Sequence, residues 1–300
     1  MNAQKSDTQK QVDTHHRAEA LASGLPPLLV AAERVASTVS QGVHGRRRVG
    51  QGETFWQFRR YEFGDATSMI DWRQSAKSQP VYIRETEWEA AQSVWLWRDG
   101  SPSMTFTSSD QLRPKSDRAD LLTVALASLL VRGGERIAML GTGASPTSGR
   151  TILARMCAMI ENGQMPITSL PSEEVLPRYG RVAWFGDFLS PLDEVRKVVS
   201  AYANQGVRGH LVQVLDPAEE RLPYDGRVLF GAMEPEDSDI LVRHIGSLRE
   251  DYHAEIQNHL AGLKDICRSF GWSFTSHRTD HAPEPILMAL YLHFSETRER

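Results

Sequence analysis

An α/β fold with a mainly parallel sheet covered by helices on both faces is what this sequence predicts, from three observations. Beyond about residue 93, strand-like runs alternate with stretches whose apolar residues recur at helical spacing. The strand-like runs are short and apolar, as strands of a sheet covered on both sides are. The 300 residues, 40% hydrophobic and 24% charged, are enough to bury a sizeable core.

In chain order, the polar first 25 residues carry no apolar run of the secretory type and are expected to be a disordered tail. PPLLVAAERVASTVSQG, residues 26–42, reads as a helix with prolines at its start and Gly42 at its end. Residues 44–80 are rich in glycine, arginine and aromatics and read as loops with short strands. VYIRETEWE (81–89) and SVWLWRD (93–99) read as the two arms of a hairpin. Helices are then expected over 118–134, 151–162, 192–206, 248–271 and 283–294. Strands are expected over 136–141, 181–187, 209–215 and 272–278, with short strands and turns over 216–239. Three regions follow: the tail 1–25, an N-terminal helix and loop/short-strand extension 26–92, and an α/β domain 93–295.

The formal charge of -4 and pI near 6.2 give no general attraction to nucleic acid or anionic lipid. The longest apolar stretch, 121–131, is too short to cross a bilayer. Cys157 and Cys267 are far apart with no CxxC spacing, which fits a reducing compartment, and the cytoplasm is expected. GTGASPTSGRT (141–151) lacks the Walker spacing, with five residues between Gly143 and Gly149 and Arg150 where the lysine would stand. No HExxH pattern, nucleophile elbow or catalytic triad is legible. Arg46, Arg47 and Arg48 beside several aromatics could suit single-stranded nucleic acid. The nearby Asp65, Asp71, Glu85, Glu87 and Glu89 favour internal ion pairs instead, and Trp56, Trp72, Trp88, Trp95 and Trp97 are expected to pack.

In open α/β sheets ligands gather beyond the carboxyl ends of the strands. Two aspartates stand there: Asp99, closing VWLWRD, and Asp187, closing RVAWFGD. Ser101 and Ser103 follow Asp99 at alternate positions, so one turn could present a carboxylate and two hydroxyls to a hard cation such as Mg²⁺. The same residues are ordinary turn and helix-cap formers, and both readings stand at this point.

The ordered elements Gly50-x-Gly52-x-x-Phe55, Arg59-x-Tyr61, Gly64-Asp65, Ile70-Asp71-Trp72 and Ser75-Ala76 resemble the signature of the domain of unknown function 58 family. In that family this segment leads into a von Willebrand factor A-like domain. The resemblance implies a three-layer α/β/α Rossmann-like fold and a metal-ion-dependent adhesion site holding Mg²⁺ or Mn²⁺. Its ligands would be Asp99, Ser101, Ser103, Asp187 and a middle-loop threonine, Thr151 or alternatively Thr147. Gly52, Arg59, Tyr61, Gly64, Asp65, Asp71 and Trp72 would be signature residues with structural or partner-contact roles. The implied function is non-enzymatic: a metal-dependent protein-binding module, partner of a MoxR-type AAA+ ATPase in assembly or maturation of protein complexes. A Mg²⁺-dependent hydrolase and, behind it, a nucleic-acid adaptor are the alternatives.

Overall fold

The computed structural model describes residues 26–44, 55–61, 70–77, 80–86, 91–233 and 238–296. The described residues of Arg46–Ala91 form one compact unit, and those of Met1–Gly45 and Gln92–Arg300 form another. The N-terminal helix, grouped with the extension on sequence grounds, therefore belongs to the larger unit. Helix α1 (Pro27–His44) buries Leu29, Ala32, Val35, Ala36 and Val39 in the core of that larger unit.

In the smaller unit, strand β1 (Phe55–Arg60) pairs antiparallel with β2 (Tyr82–Thr86). A one-turn helix, α2 (Trp72–Ser75), lies between them in sequence. Asp71 caps α2 by accepting from the Gln74 amide at 2.9 Å. The Asp71 and Tyr61 amides donate to the carbonyls of Tyr82 and Val81, each at 2.9 Å. Arg59 pairs with Ile83 through its backbone. Trp72 is 68% exposed. Gly52, Gly64 and Asp65 lie outside the described residues, as do Arg46, Arg47, Arg48 and Trp88.

The expected hairpin of 81–89 with 93–99 does not form. The partner of Tyr82–Thr86 is β1, while β3 (Ser93–Arg98) lies inside a five-stranded parallel sheet of order β4-β3-β5-β6-β9. The reason is burial: Val94, Trp95, Leu96 and Trp97 are all buried, and a strand covered on both faces takes a neighbour along each edge. The other strands are β4 (Arg136–Met139), β5 (Arg181–Gly186), β6 (Arg208–Leu215) and β9 (Ser273–Arg278). Helices α3 (Lys115–Arg132), α4 (Arg150–Glu161), α5 (Leu192–Asn204), α7 (Ile245–Ser269) and α8 (Glu284–Glu296) complete the layers. Between β6 and α7 the chain forms the one-turn helix α6 (Pro217–Arg221) and a small hairpin, β7 (Val228–Phe230) with β8 (Ile240–Val242).

Alternate strand residues point into two separate cores. Val94, Leu96, Ala183, Phe185, Val212 and Val214 meet α1, α3, α4 and α8 on one face. Trp95, Trp97, Val182, Trp184 and Leu211 meet α5 and α7 on the other. The fold is therefore a three-layer α/β/α sandwich of the doubly wound type. Close packing on the second face depends on Gly209, where a Cβ would stand 2.2 Å from the Trp272 ring. Cys157 and Cys267 are free and buried, one in each core, and burial pushes both thiols up to about 12. No helix among the described residues is long and apolar enough to cross a membrane.

Topology also fixes where a ligand would bind. The chain leaves β3 through α3, on the first face, and leaves β5 through α5, on the second. Adjacent strands whose connections depart to opposite faces open a crevice beyond their carboxyl ends. That crevice lies between β3 and β5 and is bordered by Asp99 and Asp187.

Candidate metal centre

The parallel register of β3 and β5 pairs Arg98 with Phe185, and the Asp99 amide donates to the Phe185 carbonyl at 2.7 Å. Asp99 thus stands beside Gly186, one residue before Asp187. Contact is so close that a Cβ on Gly186 would lie 2.8 Å from the Asp99 Cβ and 2.9 Å from its Oδ2. After Asp99 the chain turns sharply. The Ser101 amide (2.8 Å) and hydroxyl (2.5 Å) both donate to Asp99 Oδ1, and Pro102–Thr105 forms a 3₁₀ turn. Asp99 is fully buried, and its Oδ2 has no hydrogen-bond partner among the described residues.

Asp187 is held from several sides. Its carbonyl accepts from Gln213 Nε2 at 2.9 Å, and its Oδ1 accepts from the Leu189 amide at 3.2 Å. Phe188, between them, takes φ +50, a left-handed conformation unusual for an aromatic residue. Burial of its ring against Trp97 and a 2.7 Å contact of its carbonyl with His259 Nε2 secure that turn. Asp187 Oδ2 accepts from the Ser103 hydroxyl at 2.7 Å.

Four predicted ligands, Asp99, Ser101, Ser103 and Asp187, therefore meet in one cluster. A hydroxyl has a single proton to give. Ser101 Oγ lies 2.5 Å from Asp99 Oδ1 and Ser103 Oγ 2.7 Å from Asp187 Oδ2, and the two serine oxygens are 3.0 Å apart, a contact in which either hydroxyl can be the donor. Lone pairs converge there beside two carboxylates. Burial first, and the Asp187 charge second, push the Asp99 carboxyl up to about 7, against the two hydrogen bonds from Ser101 that pull it down.

The threonines are placed differently from the expectation. Thr147 pairs with Ile137 on the edge strand β4. Ile137 stands beside Val94, five residues before Asp99, which at about 3.3 Å per residue is about 16 Å from the strand end. Thr151 is exposed on the first turn of α4, and its hydroxyl makes none of the bonds of the cluster. The segment that meets the Asp99 turn is instead 166–168, where the Thr168 carbonyl accepts from the Gly100 amide at 3.2 Å. Gly100 is required at this approach, since a Cβ there would fall 2.3 Å from the Pro166 carbonyl oxygen.

Lys115 and Glu219 are the residues that sequence reasoning missed. Lys115, first residue of α3, is fully buried, with Nζ 2.9 Å from Asp187 Oδ2 and 2.5 Å from Glu219 Oε1. Burial pulls its pKa down, but the two carboxylates outweigh burial and hold it above the ordinary lysine value. A signal was present, because a cation in the first turn of a helix opposes the helix dipole unless acids compensate it. Glu219 was legible as part of a capping box: Asp216 Oδ1 accepts from the Ala218 amide, and Glu219 Oε2 accepts from the Asp216 amide, each at 2.8 Å. The other Glu219 oxygen holds Lys115. The remaining Asp216 oxygen accepts from the Ser108 amide at 3.0 Å, tying the loop after the 3₁₀ turn to α6.

Comparison with known proteins agrees with the long ordered signature. The chain is 26% identical over 278 residues to the uncharacterised proteins Mb1516 of Mycobacterium bovis and Rv1480 of Mycobacterium tuberculosis, covering 87% of this chain and 85% of each relative. Among solved structures, a conserved hypothetical protein, BatB of Bacteroides thetaiotaomicron, covers 70% of this chain and 100% of its own at 14% identity and a TM-score of 0.44. An aerotolerance-related membrane protein of Bacteroides fragilis covers 69% and 100% at 15% identity and a TM-score of 0.42. The family model described as protein of unknown function DUF58 matches residues 57–262, well over half of the sequence, and this chain belongs to that family.

Proposed function

We propose that this protein is a non-enzymatic, metal-dependent protein-binding module of von Willebrand factor A-like type. Asp99, Ser101, Ser103 and Asp187 would hold Mg²⁺ or Mn²⁺. The observation that carries the reading is the convergence of two serine oxygens, 3.0 Å apart, on two carboxylates. Adjacent ligands of an octahedral Mg²⁺ with bonds of about 2.0–2.1 Å are about 2.9 Å apart, so the spacing fits. The unpartnered, buried Asp99 Oδ2 is a second feature a cation would satisfy. Neither Thr151 nor Thr147 is carried forward as a ligand.

Bound there, the ion supplies a hard positive centre able to accept a carboxylate from another protein. The chain's own residues do the rest: the Ser101 bonds orient Asp99, the Phe188 turn fixes Asp187, and half-exposed Leu189 adds an apolar contact at the rim. From the family resemblance we infer that the partner is a MoxR-type AAA+ ATPase acting with this chain in the cytoplasm on assembly or maturation of other complexes. The test is recovery of partners from the native host by tagged wild type, with Mg²⁺ or chelator, beside Asp187→Ala. AAA+ ATPase recovered only with wild type and Mg²⁺ supports the reading; equal recovery by folded Asp187→Ala in chelator refutes it.

One observation favours a second reading. Asp99 and Asp187 stand side by side beyond the ends of β3 and β5, so one of them could act as base in a Mg²⁺-dependent hydrolase. Turnover of phosphoester or peptide substrates that needs Mg²⁺ and is lost in Asp99→Asn would put that reading first.

A further inference from the structure

We propose that Lys115 is a tethered cation that competes with the divalent ion for Asp187 and keeps the site half-neutralised until Lys115 withdraws onto Glu219. The inference rests on the reading of this cluster as a divalent-cation site. Its basis is one shared atom. Asp187 Oδ2 accepts from the Ser103 hydroxyl at 2.7 Å and from Lys115 Nζ at 2.9 Å, so a single oxygen serves both the hydroxyl pair and the ammonium. The other oxygen, Oδ1, accepts from the Leu189 amide. A carboxylate oxygen has about two lone-pair directions, and Oδ2 already receives two donors. Oδ1, with one donor, keeps a lone pair that can meet a divalent ion, but for Asp187 to give Oδ2 as well one donor must yield. A hydroxyl can rotate its proton away and still offer an oxygen, whereas an ammonium has no lone pair and can only repel the ion.

Lys115 has somewhere to go. Its second contact, Glu219 Oε1, lies at 2.5 Å, and that glutamate is fixed by its other oxygen in the capping box of α6. The ammonium can therefore give up Asp187 and keep one charged partner without leaving the interior. Lys115 is fully buried, so water does not screen its effect on the crevice. The isolated protein should thus bind divalent ions weakly, and contacts that draw Lys115 toward α6 should strengthen binding.

The test uses the full chain, stripped with chelator and titrated calorimetrically with MgCl₂ and MnCl₂. Lys115, Asp187 and Glu219 together carry one net negative charge, as Asp187 alone does in Lys115→Met/Glu219→Gln. That double variant frees Asp187 without changing net charge, and it should bind at least about tenfold more tightly than wild type. Glu219→Gln alone should bind several-fold more weakly, because Lys115 then bears on Asp187 only. A lysine that merely props Asp187 would give the reverse for the double variant. Equal or weaker binding by a folded double variant, beside a wild type that binds, overturns the tethered cation and leaves the metal site standing. Binding by none of the proteins overturns both. If the double variant does not fold, equal or tighter binding by Glu219→Gln overturns the proposal.

Discussion

Replacing Asp99 by asparagine should make the metal-free protein more stable at pH 8 while weakening its hold on Mg²⁺. Asp99 is fully buried, and burial together with the Asp187 charge moves its carboxyl from 3.8 to about 7. With a pKa raised in the folded state, the carboxyl contributes no penalty below 3.8, where both states are protonated. Between 3.8 and 7 the folded protein keeps a proton that the unfolded chain releases, and stability declines as pH rises; above 7 the loss is complete. At about 1.4 kcal/mol per pKa unit, the full loss is about 4 kcal/mol at pH 8. Asparagine removes the charge, and its Oδ1 still accepts from Ser101. Its amide nitrogen occupies the Oδ2 position, where an unpaired donor costs about 1–3 kcal/mol. The net gain expected at pH 8 is about 1–3 kcal/mol, shrinking and then reversing toward pH 4. Urea denaturation in chelator at pH 8 and pH 5, with Mg²⁺ calorimetry alongside, measures both effects. A variant less stable than wild type at pH 8, or a stability difference that does not change with pH, refutes the reasoning.

Three further outcomes are expected. Gly186→Ala should cost about 1–3 kcal/mol in denaturant melts and weaken Mg²⁺ binding, because its Cβ would stand 2.8 Å from the Asp99 Cβ. Thr151→Ala and Thr147→Ala should leave calorimetric Mg²⁺ affinity within about twofold of wild type, as neither hydroxyl belongs to the cluster; a tenfold loss, the order expected for a ligand, would return that threonine to the site. His210 is pushed down to about 3 by burial first, then by His293 and Arg181, so it stays neutral when folded while the unfolded chain takes up a proton below 6.5. Stability then falls as pH drops, and His210→Gln should remove about 2 kcal/mol of the loss between pH 7 and pH 5; an undiminished loss in urea melts would discount His210.

Much of the sheet is legible in the chain because β3 and β5 carry unbroken apolar runs and the helices between strands repeat apolar residues at helical spacing. Arg181–Gly186 and α8 fall within a residue or two of their expected bounds. Pairing is less legible. Ser93–Arg98 resembles the second arm of a hairpin until burial on both its faces is known, and burial is a property of the whole fold. The cluster divides along the same line. Asp99, Ser101 and Ser103 share one turn and Asp187 ends a strand, so local pattern finds them. Lys115 sits in the polar run RPKSDRAD, which reads as solvated surface, and only the docking of α3 against β5 and α6 brings it inside. The resemblance implies a middle-loop threonine, Thr151 or Thr147, yet the long connection after α4 is what returns the chain, at Thr168, to the Asp99 turn.

Strand β5 is buried at all six positions, lies in the middle of the sheet and feeds both cores. Its amides should exchange with solvent deuterium only when the whole domain unfolds, while those of the exposed β7–β8 hairpin exchange through small local openings. Asp187 is the next residue along. The carboxylate bordering the crevice is thus fastened to a fully buried central strand, expected to exchange slowly, and should keep its position for as long as the domain stays folded. An incoming protein would meet a group already in place, and the rate of capture would follow diffusional encounter and charge steering rather than the ordering of a loop.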